Sequence, residues 1–544
     1  MRLALLALPL LFALPAAAQP RLPAISETTL KEVTKTLSSD AFEGRAPATP
    51  AEAKTVAYLI QQFQKAGLKP GNKGQWTQDV PMVEITATDV QPLTFTGGRN
   101  GPVTLAYRTD AVLGTYRVVP RIDLKDSEVV FVGYGINAPE RNWNDYAGVD
   151  VKGKTVVILI NDPDYQTAGR EGPFEGRTMT YYGRWTYKFE EAARQGAAAA
   201  IIVHDTEPAA YGWNVVQSSW TGPQLGLDQG GERLDQSQVV GWIQKAPAQA
   251  LMAAAGQDLA ALTAAAQKPG FRPVPLGLKA NISFANTVRR QASKNVIGVL
   301  PGTGAPNEVV LYTAHWDHLG RCDAVNGDDI CNGARDNATG TAGLVAVAEA
   351  NAKAGPARRT LAFVAVTGEE SGLLGSEWYA SHPVFPLGLT VGGVNMDGLN
   401  VIGRTRDFVL TGAGKSELEA LTRLIVAGQK RVVADEPHPE RGSYFRSDHF
   451  SLAKRGVPML SAGSGQDLVA GGTAAGAAAT EDYVKNRYHQ PSDEYDSKWN
   501  WSGALEDLAV YYGLGRALAD GQGWPQWYPT SEFRAIRDRS RAGQ

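Results

Sequence analysis

Five short segments of this 544-residue chain carry side chains that hold divalent cations: His315-Trp316-Asp317, Gly333-Ala334-Arg335-Asp336-Asn337, Glu369-Glu370, Asn395-Met396-Asp397 and Tyr488-His489. The chain has only seven histidines, and four of them (His315, His318, His449 and His489) fall in or beside these segments. Imidazole and carboxylate are ligands that Zn²⁺ accepts, and the same donors suit Mn²⁺ or Co²⁺. Two adjacent glutamates offer a ligand and a base side by side, the pairing that metal-assisted hydrolysis uses. A single His-x-Asp says little. Five such segments, each next to an apolar run, point to one metal site.

The elements that must position these segments are regular from residue 293 onward. Apolar runs predict strands over 308–314, 360–366, 391–396 and 457–462, alternating with helices over 340–352, 372–380 and 415–428. Uninterrupted apolar strands are the mark of a parallel sheet buried on both faces. The fold class is therefore α/β, a mixed sheet with a mostly parallel core and helices on both faces. Ligands gather at the carboxyl ends of strands in such sheets, and each segment above follows a strand or lies in the loop leading from it.

Roles then follow from position. His315 ends strand 308–314 and reads as a ligand, with Asp317 as the acceptor that fixes its tautomer. Taken alone, the pair reads equally well as a core histidine beside a surface aspartate. Asp336 begins the loop into helix 340–352, where its carboxylate can bridge two cations or cap the helix. Two buried carboxylates side by side repel unless a cation neutralises one. Glu370 is thus the ligand and Glu369 the general base that takes a proton from water, the alternative being a solvated pair. Asp397 repeats the arrangement after strand 391–396, and His489 closes the set.

The remaining composition narrows the class. A net charge of −3 and the lack of a long basic block argue against nucleic-acid binding. The length predicts two or three domains. Residues 1–18 read as a cleaved secretory leader: Arg2, an apolar stretch from Leu3 to Leu14, then Ala16-Ala17-Ala18. That stretch is too short to span a bilayer, so the expectation is a periplasmic or secreted protein with no stable membrane association after cleavage. The only cysteines, Cys322 and Cys331, are expected to pair in an oxidising compartment, adding about 2–3 kcal/mol at most. Thr49-Pro50-Ala51-Glu52 reads as a capping box. A β-rich tract over 78–165, a helix and strand over 187–203, a surface helix over 247–267 and a linker over 268–275 form a separate stretch, 84–287. The Gly/Ala-rich 463–488 reads as a loop. No pattern bears on oligomeric state.

These segments together resemble the zinc-dependent peptidases with co-catalytic metals. That group contains secreted bacterial aminopeptidases, glutamate carboxypeptidase and the transferrin receptor ectodomain. The resemblance covers 293–520 and is most specific in the strings running from Thr367 to Ser376 and from Gly333 to Gly340. The stretch 84–287 resembles the protease-associated domain that many of these enzymes carry as an insertion, leaving 19–83 and 288–544 as the catalytic domain. The resemblance implies two Zn²⁺ ions. His315, Asp336 and Asp397 would hold one, and Asp336, Glu370 and His489 the other, with Glu369 as base. It also implies that Tyr444 stabilises an oxyanion, although a packing aromatic reads equally well. Arg335 departs from the family pattern before the bridging aspartate, where a cation could pair with a ligand carboxylate or meet the substrate. The implied activity is aminopeptidase action on peptides. Alternatives are removal of acidic C-terminal residues (with Arg184, Arg335 or Arg446 meeting the carboxylates), a glutaminyl cyclase-like enzyme, and a non-catalytic transferrin-receptor-like module. The complete ligand set argues against the last, and the large insertion against the cyclase.

Overall fold

Strand β1 (Thr77–Thr88) and the long strand β2 (Val274–Leu300) lead into a sheet completed by β3 (Ala305–His315), β4 (Arg359–Val366), β5 (Thr390–Asn395), β6 (Asp407–Leu410), β7 (Val432–Ala434) and β8 (Met459–Ser464). The computed structural model describes residues 25–99 and 101–542, so the expected leader at 1–18 lies outside them. The pairings give the order β1-β2-β4-β3-β5-β8-β6-β7. Strands β4, β3, β5 and β8 are mutually parallel and form the centre, while β2 and β6 run against them. Every residue of β4 and β5 is buried, as uninterrupted apolar strands require.

Side-chain alternation on β3 shows why both faces need cover. Val310, Tyr312 and Ala314 enter one core, shared with Leu30 and Val33 of α1 (Glu27–Leu37), Leu59 and Phe63 of α2 (Pro50–Lys65), Leu344 and Val345 of α4 (Gly340–Ala354), and Leu508 and Leu514 of α9 (Ser502–Asp520). Val309 and Leu311 enter the opposite core, with Tyr379 of α5 (Leu374–Ser381) and Leu452 of α7 (His449–Ala453). Helix α6 (Leu418–Gly428) flanks β7 and β8. Among the described residues no helix is long and apolar enough to cross a membrane.

The stretch between β1 and β2 packs its own cores. Strands Arg121–Phe131, Thr155–Leu159, Ala199–His204 and Val239–Gln244 pair in parallel, and α3 (Trp185–Arg194) packs beside them. Phe131, Val157, Ile201 and Ile243 fill one side, and Val130, Ile158, Ile202 and Trp242 the other. Residues 84 and 287 fall inside the β1–β2 ladder, where Glu84 pairs with Arg289 and Thr86 with Thr287. This antiparallel ribbon runs unbroken from the eight-stranded order above into the stretch between β1 and β2.

Several local expectations change. The 247–267 stretch is two helices, Lys245–Ala254 and Leu259–Ala266, broken at Gly256 (φ +73) and restarted by Asp258, whose side chain accepts from the Ala261 N–H. Leu251, Met252 and Leu262 are buried, so it is not a surface helix. The capping box is incomplete: Glu52 accepts from the Ala48 N–H, one residue beyond Thr49, whose hydroxyl donates to the Ala46 carbonyl instead. The 463–488 region contains a true helix, α8 (Gly472–Asn486), because alanine favours helix even where only Gly476 is buried. The predicted disulfide, Cys322–Cys331, staples a hairpin of Gly320–Val325 and Asp328–Cys331. Its two-residue turn is Asn326-Gly327, both at positive φ, as such a turn demands.

Candidate metal centre

The strand ends bring all five ligand-type segments to one place. His315 is the last residue of β3, and its Nε2 lies 3.2 Å from Oδ1 of Asp397 and 3.4 Å from Oδ1 of Asp336. The second oxygen of Asp336 lies 3.4 Å from Nε2 of His489. His489 Nε2 is also 3.1 Å from Oε2 of Glu370. One carboxylate thus faces two histidines on its two sides. Ligand atoms of His315, Asp336 and Asp397 lie within 4.8 Å of one another, as do those of His315, Glu369 and Glu370.

A buried scaffold fixes this cluster. Asp493, 1% exposed, accepts from the main-chain N–H groups of Arg335 and Asp336, each at 3.1 Å, and from the Tyr483 hydroxyl. Asn337 donates to the Met396 carbonyl, tying the Asp336 loop to the Asp397 loop. Arg45, fully buried, is the largest unforeseen contributor. Its guanidinium donates to the carbonyls of Leu37, Trp316, Asn332 and Gly333 at 2.7–2.8 Å, so one cation holds the roots of the His315 and Asp336 loops. Gly44 (φ +67) permits this, because a Cβ there would lie 2.5 Å from the carbonyls of Gly320 and Cys331.

The residues that the sequence singled out take the following places. Asp317 orients His315 chiefly through its main-chain carbonyl, 3.2 Å from Nδ1, while its carboxylate is 3.8 Å away and accepts from the Glu369 N–H. Tyr444 is buried among Phe445, His449 and Lys415, and its hydroxyl makes no hydrogen bond. Its ring is thus seated as a packing aromatic. Arg335 meets no ligand carboxylate, because its guanidinium lies 4.3 Å from the Tyr483 ring centroid. Tyr488 stacks on His489 with ring centroids 3.8 Å apart. His318, to which the sequence assigned no role, is buried and places Nδ1 2.6 Å from Oε1 of Glu370. The signal for it was present in His315-Trp316-Asp317-His318, a second imidazole three residues beyond the first. Nothing in the local pattern around Arg45 marked it.

Electrostatics agree with a cation site. Burial opposes charge on His315, yet Asp397, Glu369 and Asp336 hold its pKa well above the imidazole range. Burial likewise works against His489, but Asp336 and Glu370 raise it to about 10. Glu370 is held at about 2 despite burial and despite Asp336, because His318 and His489 face it. Without cations, the carboxylates around His315 and His489 favour the protonated form of these two imidazoles. Glu369 differs: burial first, then Asp397, Glu370 and Asp448, push it well above the carboxylate range against the pull of His315. A carboxyl group of raised pKa is a competent proton carrier. Nε2 of His489 is shielded from solvent and faces the carboxylates of Asp336 and Glu370, which fits a donor built for a cation.

Comparisons with known proteins bear on the family and the fold. Residues 295–513 match the family described as Peptidase family M28. A probable zinc metalloprotease of Pyrenophora tritici-repentis is 35% identical over 104 residues, 19% of this chain and 20% of that protein. One from Pyricularia oryzae is 30% identical over 185 residues, 31% of this chain and 34% of that protein. The matched segment thus spans a fifth to a third of these relatives. Among solved structures, an aminopeptidase from Aneurinibacillus sp. strain AM-1 superimposes with a TM-score of 0.50 at 21% identity, covering 91% of this chain and 94% of that one. At that identity the likeness speaks to the fold.

Proposed function

Residues 295–513 belong to peptidase family M28, a family of zinc metallopeptidases, and from that premise we propose that the chain is a two-zinc aminopeptidase. The observation that carries the reading is Asp336, whose two oxygens face His315 and His489 at 3.4 Å each. His315, Asp336 and Asp397 would hold one ion, and Asp336, Glu370 and His489 the other. His318 hydrogen-bonds Oε1 of Glu370 and so turns Oε2 toward His489. When bound, the ions supply Lewis acidity toward water and toward the scissile carbonyl.

The chain's own groups do the rest. Glu369 stands beside His315 and Glu370 and takes the proton of the attacking water, then delivers it to the departing amine. Its neighbour Asp317 accepts from the Glu369 N–H and fixes its backbone. Asp397, on the partly open side of the cluster, offers carboxylate to the end of the substrate, which favours an ammonium group there. Amine recognition of this kind makes an exopeptidase acting on N-terminal residues. Export to the periplasm or medium is part of the proposal, supported by the leader-like sequence and the disulfide. The inserted stretch is proposed to be a protease-associated domain, supported by its separate cores.

The test is Glu369→Gln. We expect two zinc ions per chain to be retained, with release of N-terminal residues from aminoacyl anilides and peptides reduced by roughly 10²–10⁴-fold or more. Turnover near that of the unaltered protein would overturn the role of Glu369. Fewer than two tightly held ions in the unaltered protein would overturn the two-zinc centre.

A further inference from the structure

The segments that carry His315 and Asp336 are joined by the hairpin of Gly320–Val325 and Asp328–Cys331, and this hairpin has little of its own to hold it. Among the described residues its two strands pair only with each other: Gly320 with Cys331, Arg321 with Ile330 and Val325 with Asp328, with a break in register before the last pair. Residues 323–327 are exposed, so no apolar face anchors the tip. A lone two-stranded hairpin is marginal in water. The Cys322–Cys331 bridge lies at its neck, four residues after His318 and five before Asp336.

The neck is where the hairpin meets the metal loops. A Cβ on Gly44 would stand 2.5 Å from the carbonyls of Gly320 and Cys331, and one on Gly320 would stand 2.7 Å from Cβ of Ala46. Between these contacts, Arg45 donates to the carbonyls of Asn332 and Gly333, the two residues that follow Cys331. The Asn332 amide group donates to Oδ1 of Asp40 at 2.9 Å. Gly333 in turn backs onto the His318 ring, which would collide with a Cβ there. Only an intact neck presents these carbonyls together to residues 40–46. Without the bridge, the neck is held by main-chain pairing alone. Freedom gained there passes to Asp336 on one side and, on the other, to His318, which hydrogen-bonds Glu370. Groups that orient metal ligands typically change metal affinity by roughly 10- to 100-fold.

We propose that Cys322 and Cys331 form a redox switch on zinc affinity: the dithiol chain holds its ions loosely, and the disulfide chain holds them tightly. This rests on the two-zinc reading and adds regulation to it. Disulfides do not persist in a reducing compartment, so a chain still in one carries two thiols, stays largely metal-free and spares the peptides around it. Oxidation by a disulfide compound of the thiol-exchange class throws the switch. One chain thiolate attacks a sulfur of the oxidant and expels a thiolate. The second chain thiolate attacks the mixed disulfide, forming the Sγ–Sγ bond and expelling the other. The chain gives up two electrons and two protons, and the oxidant leaves as two thiols. Cys331 is buried and Cys322 is partly exposed, so exchange enters through Cys322.

The experiment compares three forms of the full chain by competition for zinc with a chromogenic chelator. They are the oxidised parent, the parent reduced with a phosphine, and Cys322→Ser/Cys331→Ser, whose hydroxyls cannot hold zinc as thiolates would. We expect the reduced parent and the serine variant to bind zinc roughly 10- to 100-fold more weakly than the oxidised parent. Glutathione disulfide should restore the parent and leave the variant unchanged. At saturating zinc, both weakened forms should recover hydrolysis of an aminoacyl anilide to within about threefold of the oxidised parent, which general unfolding would not allow. Affinity within about threefold of the oxidised parent in either form would overturn the switch, as would failure of saturating zinc to restore hydrolysis. If the serine variant folds poorly, the reduced parent, made from folded protein, decides. An oxidised parent that holds no zinc would bring down the two-zinc reading, and the switch with it.

Discussion

Replacing Arg45 by methionine keeps much of the side-chain volume but removes all four hydrogen bonds to the carbonyls of Leu37, Trp316, Asn332 and Gly333. Each carbonyl left dry costs about 1–3 kcal/mol. Two effects reduce the sum. Burying a guanidinium costs several kcal/mol that the variant no longer bears, and burial is what brings Arg45 down to about 10. Water entering the vacated fork can also satisfy part of the set. The net loss should be about 3 kcal/mol, a drop of a few degrees in thermal midpoint for the zinc-loaded protein. The sharper effect falls on the metal. Trp316 lies between His315 and Asp317, and Gly333 lies three residues before Asp336, so both ligand loops lose their common anchor. Zinc affinity, measured by competition with a chromogenic chelator, should fall roughly 10- to 100-fold. Arg45→Lys should recover little, because one ammonium cannot reach carbonyls that a fork spans. A methionine variant with unchanged midpoint and zinc affinity within threefold of the parent would refute this reasoning.

Two further outcomes test other parts of the site. Asp493→Asn should lower zinc affinity by roughly 10- to 100-fold in the same competition assay, because the amide group no longer offers two acceptor oxygens to the Arg335 and Asp336 N–H groups. In metal-free protein, His489 has its pKa raised from 6.5 to about 10. A raised folded-state pKa contributes stability that is present below pH 6.5 and lost as pH rises toward 10. Thermal midpoints of the chelated protein should therefore decline across that window. Saturating zinc, which binds neutral imidazole, should flatten the decline.

The sheet was legible because its central strands are uninterrupted apolar runs, and the observed β3, β4, β5 and β8 each lie within a few residues of their expected bounds. The ligand-type residues were legible because they follow those strands. What escaped was whatever depends on distant partners. Arg45 lies 271 residues from Trp316, and only the fold turns an isolated basic residue into a clamp. Asp493 becomes a buried acceptor only because the Asp336 loop, 157 residues away in sequence, closes on it. For Tyr444 the sequence left an oxyanion role and a packing role equally open, and for Arg335 a ligand carboxylate or the substrate; only tertiary packing supplies their neighbours, Lys415 and His449 for the one and Tyr483 for the other. The 463–488 region was misread because glycine at its start masks the alanine run that follows.

The β1–β2 ribbon also imposes an order on chain growth. Its twelve paired positions join residues about 200 apart in sequence, from Thr77 with Val296 to Thr88 with Ala285. At a synthesis rate of about 5–20 residues per second, β1 waits on the order of 10–40 s before β2 exists, although Pro223–Leu227, which pairs with Met82–Thr86 on its other edge, is made earlier. By the end of that interval the residues of the inserted stretch's own cores are complete and can collapse together, taking the start of β2 with them. Completion of β2 then extends a strand already anchored at its far end, so β1 is captured by zippering rather than by a search for a free partner.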